Sequence, residues 1–184
     1  MGPPRRVAGK GASDLRAAVH AAAGAPGLFR AARRAARRAG AGYRGATDVL
    51  ACSAIVLFLV APRAAGAGGR QNAVRHFVWQ ALLVSRHGEP VARAVADAQE
   101  EGSVQPLDTA ADRRNNAAGQ AYGAAHAREL AGLPLRVVLD ELLDVGLAKW
   151  DGGELANANA RRGGGSAGRR RRGWRGRATP RSLT

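Results

Sequence analysis

Cysteine occurs once in the 184 residues, at Cys52. One thiol excludes an internal disulfide framework and any thiolate-rich zinc or iron–sulfur centre, because those need several cysteines at fixed spacing. Aromatic residues make up only 4% of the chain. Serine is scarce, and none sits in the strand-to-helix elbow of a nucleophilic hydrolase. No glycine-rich loop ends in Lys-Ser or Lys-Thr, and Gly66 to Gly69 has no strand before it, so phosphate cradles of the nucleotide-binding kinds are excluded. Cys52 lies inside an apolar run, where a thiol is normally inert. The scarcity of serine and the setting of Cys52 argue against a lipase-like or cysteine-dependent enzyme. Segments with strand-like alternation are missing throughout, which leaves an all-α fold.

Acidic residues are missing from one part of the chain in particular. Residues 156–184 hold nine basic residues and no acid, residues 1–47 hold ten basic and one acid, and residues 48–155 hold ten basic and thirteen acid. The net charge of +15 thus comes from the two flanks, while the middle is slightly acidic. A fold that reads nucleic acid carries its basic face within the fold. Here the excess belongs to the flanking segments. The expected organisation is a basic Ala/Arg-rich segment over 1–46, partly helical or disordered, one helical domain over 47–151, and a disordered Gly/Arg-rich tail over 152–184.

The two flanks differ. After Pro26-Gly27, Arg30, Arg33, Arg34, Arg37 and Arg38 recur at i, i+3, i+4, i+7 and i+8, a cationic stripe along one helix face. With few large apolar neighbours, that stripe suits an acidic surface better than a bilayer. The tail has Gly163-Gly164-Gly165 as linker and then Arg169, Arg170, Arg171 and Arg172 beside Trp174. Arginines interleaved with an indole can neutralise phosphates and stack on bases. Nonspecific nucleic acid or an anionic membrane surface is the partner class this implies. The sequence does not set the oligomeric state.

Val49 to Ala61 is apolar except for Ser53. Thirteen residues fall short of the roughly 20 a spanning helix needs, so the run is expected to be a buried core helix in a cytoplasmic protein, with membrane association or export as the other reading. Thr47 or Asp48 is expected to cap this helix and Pro62 to end it. A second helix is predicted over 71–87 with Gly88 just past its end, a third from Pro90 to about Glu101, and a loop over 103–108. Thr109 with Asp112 forms a capping-box pattern that opens a fourth helix, read as running to Leu130. A fifth covers 134–149, with Leu135, Val138, Leu139, Leu142 and Leu143 on one face. These give a compact bundle-like domain of about five helices.

Polar residues fall on the faces this assignment turns inward. His76 has Trp79 and Gln80 on its own face at i+3 and i+4. Glu100 shares a face with Asp97, and Asp112, Asn115, Asn116 and Gly119 recur at i, i+3, i+4 and i+7. Two adjacent asparagines inside a helix are costly by propensity, which points to a site or a tight polar network. As chemistry, His76, Glu100 and Asp112 are candidate acid–base residues, with Asn115, Asn116, Trp79 and Gln80 as a binding cluster. No cofactor is expected. A hard divalent cation is the one that oxygen-rich set could hold, and no metal ligand is assigned.

The order Asn72-Ala73-Val74-Arg75-His76, then Asp97-Ala98-Gln99-Glu100, then Asp112-Arg113-Arg114-Asn115-Asn116-Ala117-Ala118-Gly119 resembles a bacterial domain family of unknown function, the DUF6973 type. The resemblance covers about residues 47–151. It implies a compact helical domain found in bacterial proteins, some of them large, secreted or toxin-like, with no settled activity. Where the family pattern has histidines, this chain has Gln99 and Arg114, so only His76 of three remains. A site that worked through several imidazoles would be weakened here. The reading is a non-enzymatic helical module with a buried polar buttress and polyanion-binding arginine segments. The alternative is a metal-dependent hydrolase-like or toxin-effector domain built on His76, Glu100, Asp112 and Asn116.

Overall fold

A computed structural model describes residues 26–66, 69–101 and 106–157. Among them every regular element is helical: α1 Pro26–Arg38, α2 Gly42–Ile55, α3 Arg70–His87, α4 Glu89–Glu100, α5 Pro106–Ala125, α6 Ala127–Ala131 and α7 Leu135–Asp151. A π-helical turn, Val56–Val60, and a 3-10 turn, Ala61–Ala64, extend α2. The all-α reading holds, with seven helices where about five were expected. One of the extra helices lies in the N-terminal flank. The other arises where the long fourth helix divides at His126, whose φ of −109° and ψ of 13° leave the helical region.

Three boundaries differ from expectation for local reasons. Asp48 does not cap α2. That helix starts at Gly42, just after Gly40, whose φ of 95° few side chains tolerate, and Asp48 sits mid-helix with its carboxylate turned to α3. Pro62 does not stop the run either, because it enters the first turn of the 3-10 segment, where no backbone donor is required. Helix α5 opens at Pro106, a residue pre-set for a first helical turn, so Thr109 lies inside the helix and the capping box is not at its start. Gly88 does end α3, with a φ of 82°.

The helical body extends beyond residues 47–151 at both ends. Upstream, α1 packs its alanine face inward, with Ala36 fully buried and Ala32, Ala35 and Ala39 against the core. Downstream, Leu155 is buried. The backbone of Ala156 both donates to Asn115 Oδ1 (2.7 Å) and accepts from Asn115 Nδ2 (3.1 Å), which pins the chain after α7.

Helix α3 is the centre of the molecule. Its residues 73–84 are buried except Arg75, and Phe77, Leu82 and Leu83 are among the largest side chains wholly inside. At roughly 25 cal/mol per Å² of apolar area, this helix provides much of the core's driving force. Helix α5 lies on it more closely than side chains normally permit. A Cβ on Gly119 would fall 2.3 Å from the Phe77 carbonyl oxygen, and one on Gly123 2.6 Å from that of Ala81. Two glycines one turn apart thus bring the two backbones into contact.

Candidate functional site

The close approach of α3 and α5 is bridged by polar side chains at a constant offset. Asn72 Nδ2 donates to Asp112 Oδ1 (2.6 Å), His76 Nδ1 meets Asn116 Oδ1 (2.9 Å), and Gln120 Nε2 donates to Gln80 Oε1 (2.8 Å). Each pair is 40 residues apart in sequence and each step along either helix is four residues. A constant offset requires the helices to run parallel, and a four-residue step places one rung on each turn. The result is a polar ladder of three rungs.

The middle rung extends sideways. Asn116 accepts from His76 with its oxygen, and its Nδ2 donates to Glu100 Oε1 on α4 at 3.5 Å. Because an amide oxygen only accepts, the His76 ring carries hydrogen on Nδ1. Its Nε2 faces a donor, Arg75 Nη2 at 2.9 Å, and an acceptor, Asp112 Oδ2 at 3.3 Å. The neutral ring accepts from Arg75, and the protonated ring donates to Asp112. Arg75 also donates to Asn72 Oδ1, which closes the circuit. His76 is 1% exposed and its ring meets Trp79 edge-on, with centroids 6.1 Å apart.

The two carboxyls are pushed in opposite directions. Burial alone would raise Asp112, but the hydrogen bond and charge of His76, the Asn72 amide and Arg75 hold it below its ordinary value. Glu100 is raised, first by burial and then by the negative charge of Asp112. Its Oε2 is buried without a partner. Burial lowers Arg75, with Asp112 opposing the shift. Asp112 is therefore the anion of the cluster, and Glu100 is the carboxyl that more readily keeps its proton.

The sequence-derived candidates are brought together only in part. His76, Glu100, Asp112 and Asn116 form one network. Asn115 faces away to clasp Ala156, Trp79 donates to Ser53 Oγ (2.9 Å), and Gln80 belongs to a separate rung with its Nε2 unpartnered. Asp97 is exposed while Glu100 is buried, so these two acids do not share an environment. Arg169, Arg170, Arg171 and Arg172 lie outside the described residues. Asn72 and Arg75 were not singled out as site residues. Asn72 precedes His76 by four residues, and that spacing is the signal the sequence held.

Beside the network, a cavity of about 140 Å³ is lined by Phe29, Ala32, Val56, Leu57 and Val95, with Trp79, Ser53, Arg75 and Gln99 as its polar-bearing residues. Gln99 thus borders this space, while Arg114 is exposed. Asn116 stands between His76 and Glu100, so those ligand atoms do not converge on a common point. Among the described residues, the side chains that do converge are Asp48, Cys52 and His87, whose ligand atoms lie within 4.8 Å of one another. Arg86 grips the same Asp48 carboxylate with Nε at 2.9 Å and Nη2 at 3.2 Å. Burial and the nearby Asp48 charge push the Cys52 thiol up to about 12.

Residues 59–139 match the model of a protein family described as a domain of unknown function, DUF6973. That stretch is consistent with a DUF6973-type domain, the family that the sequence resembles. No curated protein and no solved structure matches the chain.

Proposed function

We propose that this DUF6973-type chain is a non-enzymatic helical module that binds polyanions through arginines on its surface, with the polar ladder as a buttress that fixes the helices. One observation carries the reading. Helix α1 docks through Ala32, Ala35, Ala36 and Ala39, which leaves Arg34, Arg37 and Arg38 exposed on its outer side, with Arg44 exposed just beyond. A cationic stripe mounted on a packed helix keeps its charges at fixed spacing, so less ordering entropy is lost when it meets phosphates. The tail arginines 169–172 would add charge of the same sign.

The ladder supports the structural half of the reading. His76, Asn115 and Asn116 are nearly inaccessible, and their polar atoms are engaged by one another, by Arg75, Asp112 and Glu100, or by backbone. A second reading, a hydrolase-like or toxin-effector site on His76, Glu100, Asp112 and Asn116, draws on the opposite shifts of Glu100 and Asp112, which resemble a paired acid and base. The distance between His76 and Glu100 across Asn116 weighs against it.

The run Gly42–Ala64 is 23 residues and apolar enough to cross a membrane by length and composition, so the shortness argued from Val49 to Ala61 does not apply to the folded helix. Its Val49, Cys52, Ile55, Val56 and Val60 are buried in the protein. We assign it to the core of a soluble or peripherally attached protein.

The test replaces Arg34, Arg37 and Arg38 together by Gln in the full chain. If they neutralise phosphates, the slope of log affinity against log salt for duplex DNA falls by roughly 2–3, about 0.9 for each phosphate left without its arginine. Anionic vesicles run in parallel decide which polyanion is preferred. An unchanged slope and affinity for both would overturn the assignment of α1.

A further inference from the structure

We propose that Asp48, Cys52 and His87 form a site for a thiolate-accepting divalent metal of the zinc class, which staples α2 to the end of α3. Two of its three ligands lie outside the stretch matched by the family model. The argument begins with spacing. Asp48 and Cys52 are four residues apart on α2 and therefore share a face, and His87 is the last residue of α3, where Gly88 turns the chain away. His87 Nε2 lies 2.9 Å from Asp48 Oδ2, and Cys52 Sγ lies 3.8 Å from the same oxygen. Tetrahedral zinc with bonds of about 2.0–2.3 Å needs ligand atoms roughly 3.2–3.8 Å apart, so the two contacts with Asp48 need shifts of some tenths of an ångström, and the Cys52–His87 pair, within 4.8 Å, closes by about 1 Å at most.

The donor set decides the metal class. One sulfur, one imidazole nitrogen and one carboxylate oxygen suit zinc or cobalt, whereas magnesium and calcium require mostly oxygen ligands. Binding breaks the Cys52 S–H bond, and that proton leaves to solvent. Without metal, His87 Nε2–H donates to the Asp48 carboxylate; on binding, that hydrogen leaves Nε2, the ring keeps one on Nδ1, and the freed Nε2 lone pair goes to the metal. Asp48 turns Oδ2 to the ion and keeps Oδ1 on Arg86 Nη2, an outer contact of the kind that orients a ligand carboxylate. The two anionic ligands cancel the metal charge, which leaves Arg86 as the residual cation. Three protein ligands leave a fourth position for water, on the side where the Asp48 side chain is 35% exposed.

The experiment is a titration of the full chain with cobalt, followed by displacement with zinc. We expect one equivalent to produce a thiolate-to-cobalt absorption band together with the visible band of four-coordinate cobalt. Zinc at a hundredfold excess over its dissociation constant should raise the melting temperature by about 5–10 °C. Cys52→Ala and His87→Gln should each abolish the thiolate band and the thermal shift, and Asp112→Asn should keep both, which separates this site from the polar ladder. Should Cys52→Ala fail to fold by circular dichroism, Cys52→Ser takes its place. Absence of the thiolate band in wild type, or a band that persists in His87→Gln, would overturn the proposal.

Discussion

Helix α3 carries two polar clusters about two turns apart, and they obey different rules. The ladder at Asn72, His76 and Gln80 joins α3 to α5 in the interior, mostly through amides and one imidazole. The cluster at Arg86 and His87 joins α3 to α2 at the rim, around the Asp48 carboxylate. At the middle of the ladder, His76 and Asn116 are buried and held by specified partners, because water cannot replace a missing hydrogen bond there and an unpaired buried group costs about 1–3 kcal/mol. At the rim, Arg86 and Asp48 are 40% and 35% exposed, so solvent can take over from either partner. The interior cluster thus fixes register, since sliding α5 by one residue would mismatch all three rungs at once. The rim cluster adds attraction with little specificity.

The largest effect that would break this comparison comes from the glycine that makes the ladder possible. In Gly119→Ala the new methyl carbon would fall 2.3 Å from the Phe77 carbonyl, a backbone atom that cannot rotate away. The helices must part, and the rungs lengthen beyond hydrogen-bonding reach. A loss of about 3 kcal/mol or more is expected, at the upper end of overpacking costs. Thermal or urea denaturation measures it. A variant as stable as wild type would mean that the parallel contact is looser than described, and the ladder would lose its role in setting register.

A direct comparison of the two clusters comes next. Asp112→Asn removes the anion that faces His76 and Arg75 and disturbs the 2.6 Å bond from Asn72, at an expected cost of about 1–3 kcal/mol. Asp48→Asn weakens a half-exposed pairing with Arg86 and His87 and is expected to cost about 1 kcal/mol or less. At roughly 4 °C per kcal/mol the two are separable in thermal melts. Added salt should shrink the Asp48 effect and leave the Asp112 effect almost unchanged. Equal losses with equal salt dependence would erase the distinction between interior and rim.

Much of the interior was legible in the sequence, because periodicity and helix punctuation are local signals. Gly88, the apolar face of α3 and the i, i+3, i+4, i+7 run from Asp112 to Gly119 all follow from spacing along one helix. The pairing across helices was not legible: spacing within α3 and within α5 does not say that residue 76 meets residue 116, since the offset depends on how α4 returns the chain. For the same reason Asn115 looked equivalent to Asn116, although one clasps Ala156 and the other reaches His76. Thr47 or Asp48 reads as a cap because a polar residue just before an apolar run usually is one. Only the left-handed turn at Gly40, upstream, moves the helix start and frees that carboxylate for α3.

The smallest expected effect is also the most informative about the ladder's charge. Glu100 has its folded pKa raised above the ordinary value of 4.5, by burial and by Asp112, so the native state holds this proton more tightly than the unfolded chain does. Its contribution is full at low pH and is lost as pH rises through the raised value. Asp112 has the opposite sign. Its folded pKa lies below 3.8, so its contribution is present at higher pH and is lost as pH falls through that lower range. Together they predict that stability declines by the Glu100 contribution as pH rises above about 4.5, while the Asp112 contribution stays constant over that interval. Glu100→Gln keeps the shape of the protonated acid and its carbonyl for the Asn116 amide, but cannot ionise. It should match wild type near about pH 4.5 and equal or exceed it at about pH 7, which flattens the decline. Melting temperatures for both proteins across this range check the sign. A variant that matches wild type in acid but is less stable than it near neutrality would show that Glu100 serves the fold as an anion, a second buried negative charge beside Asp112.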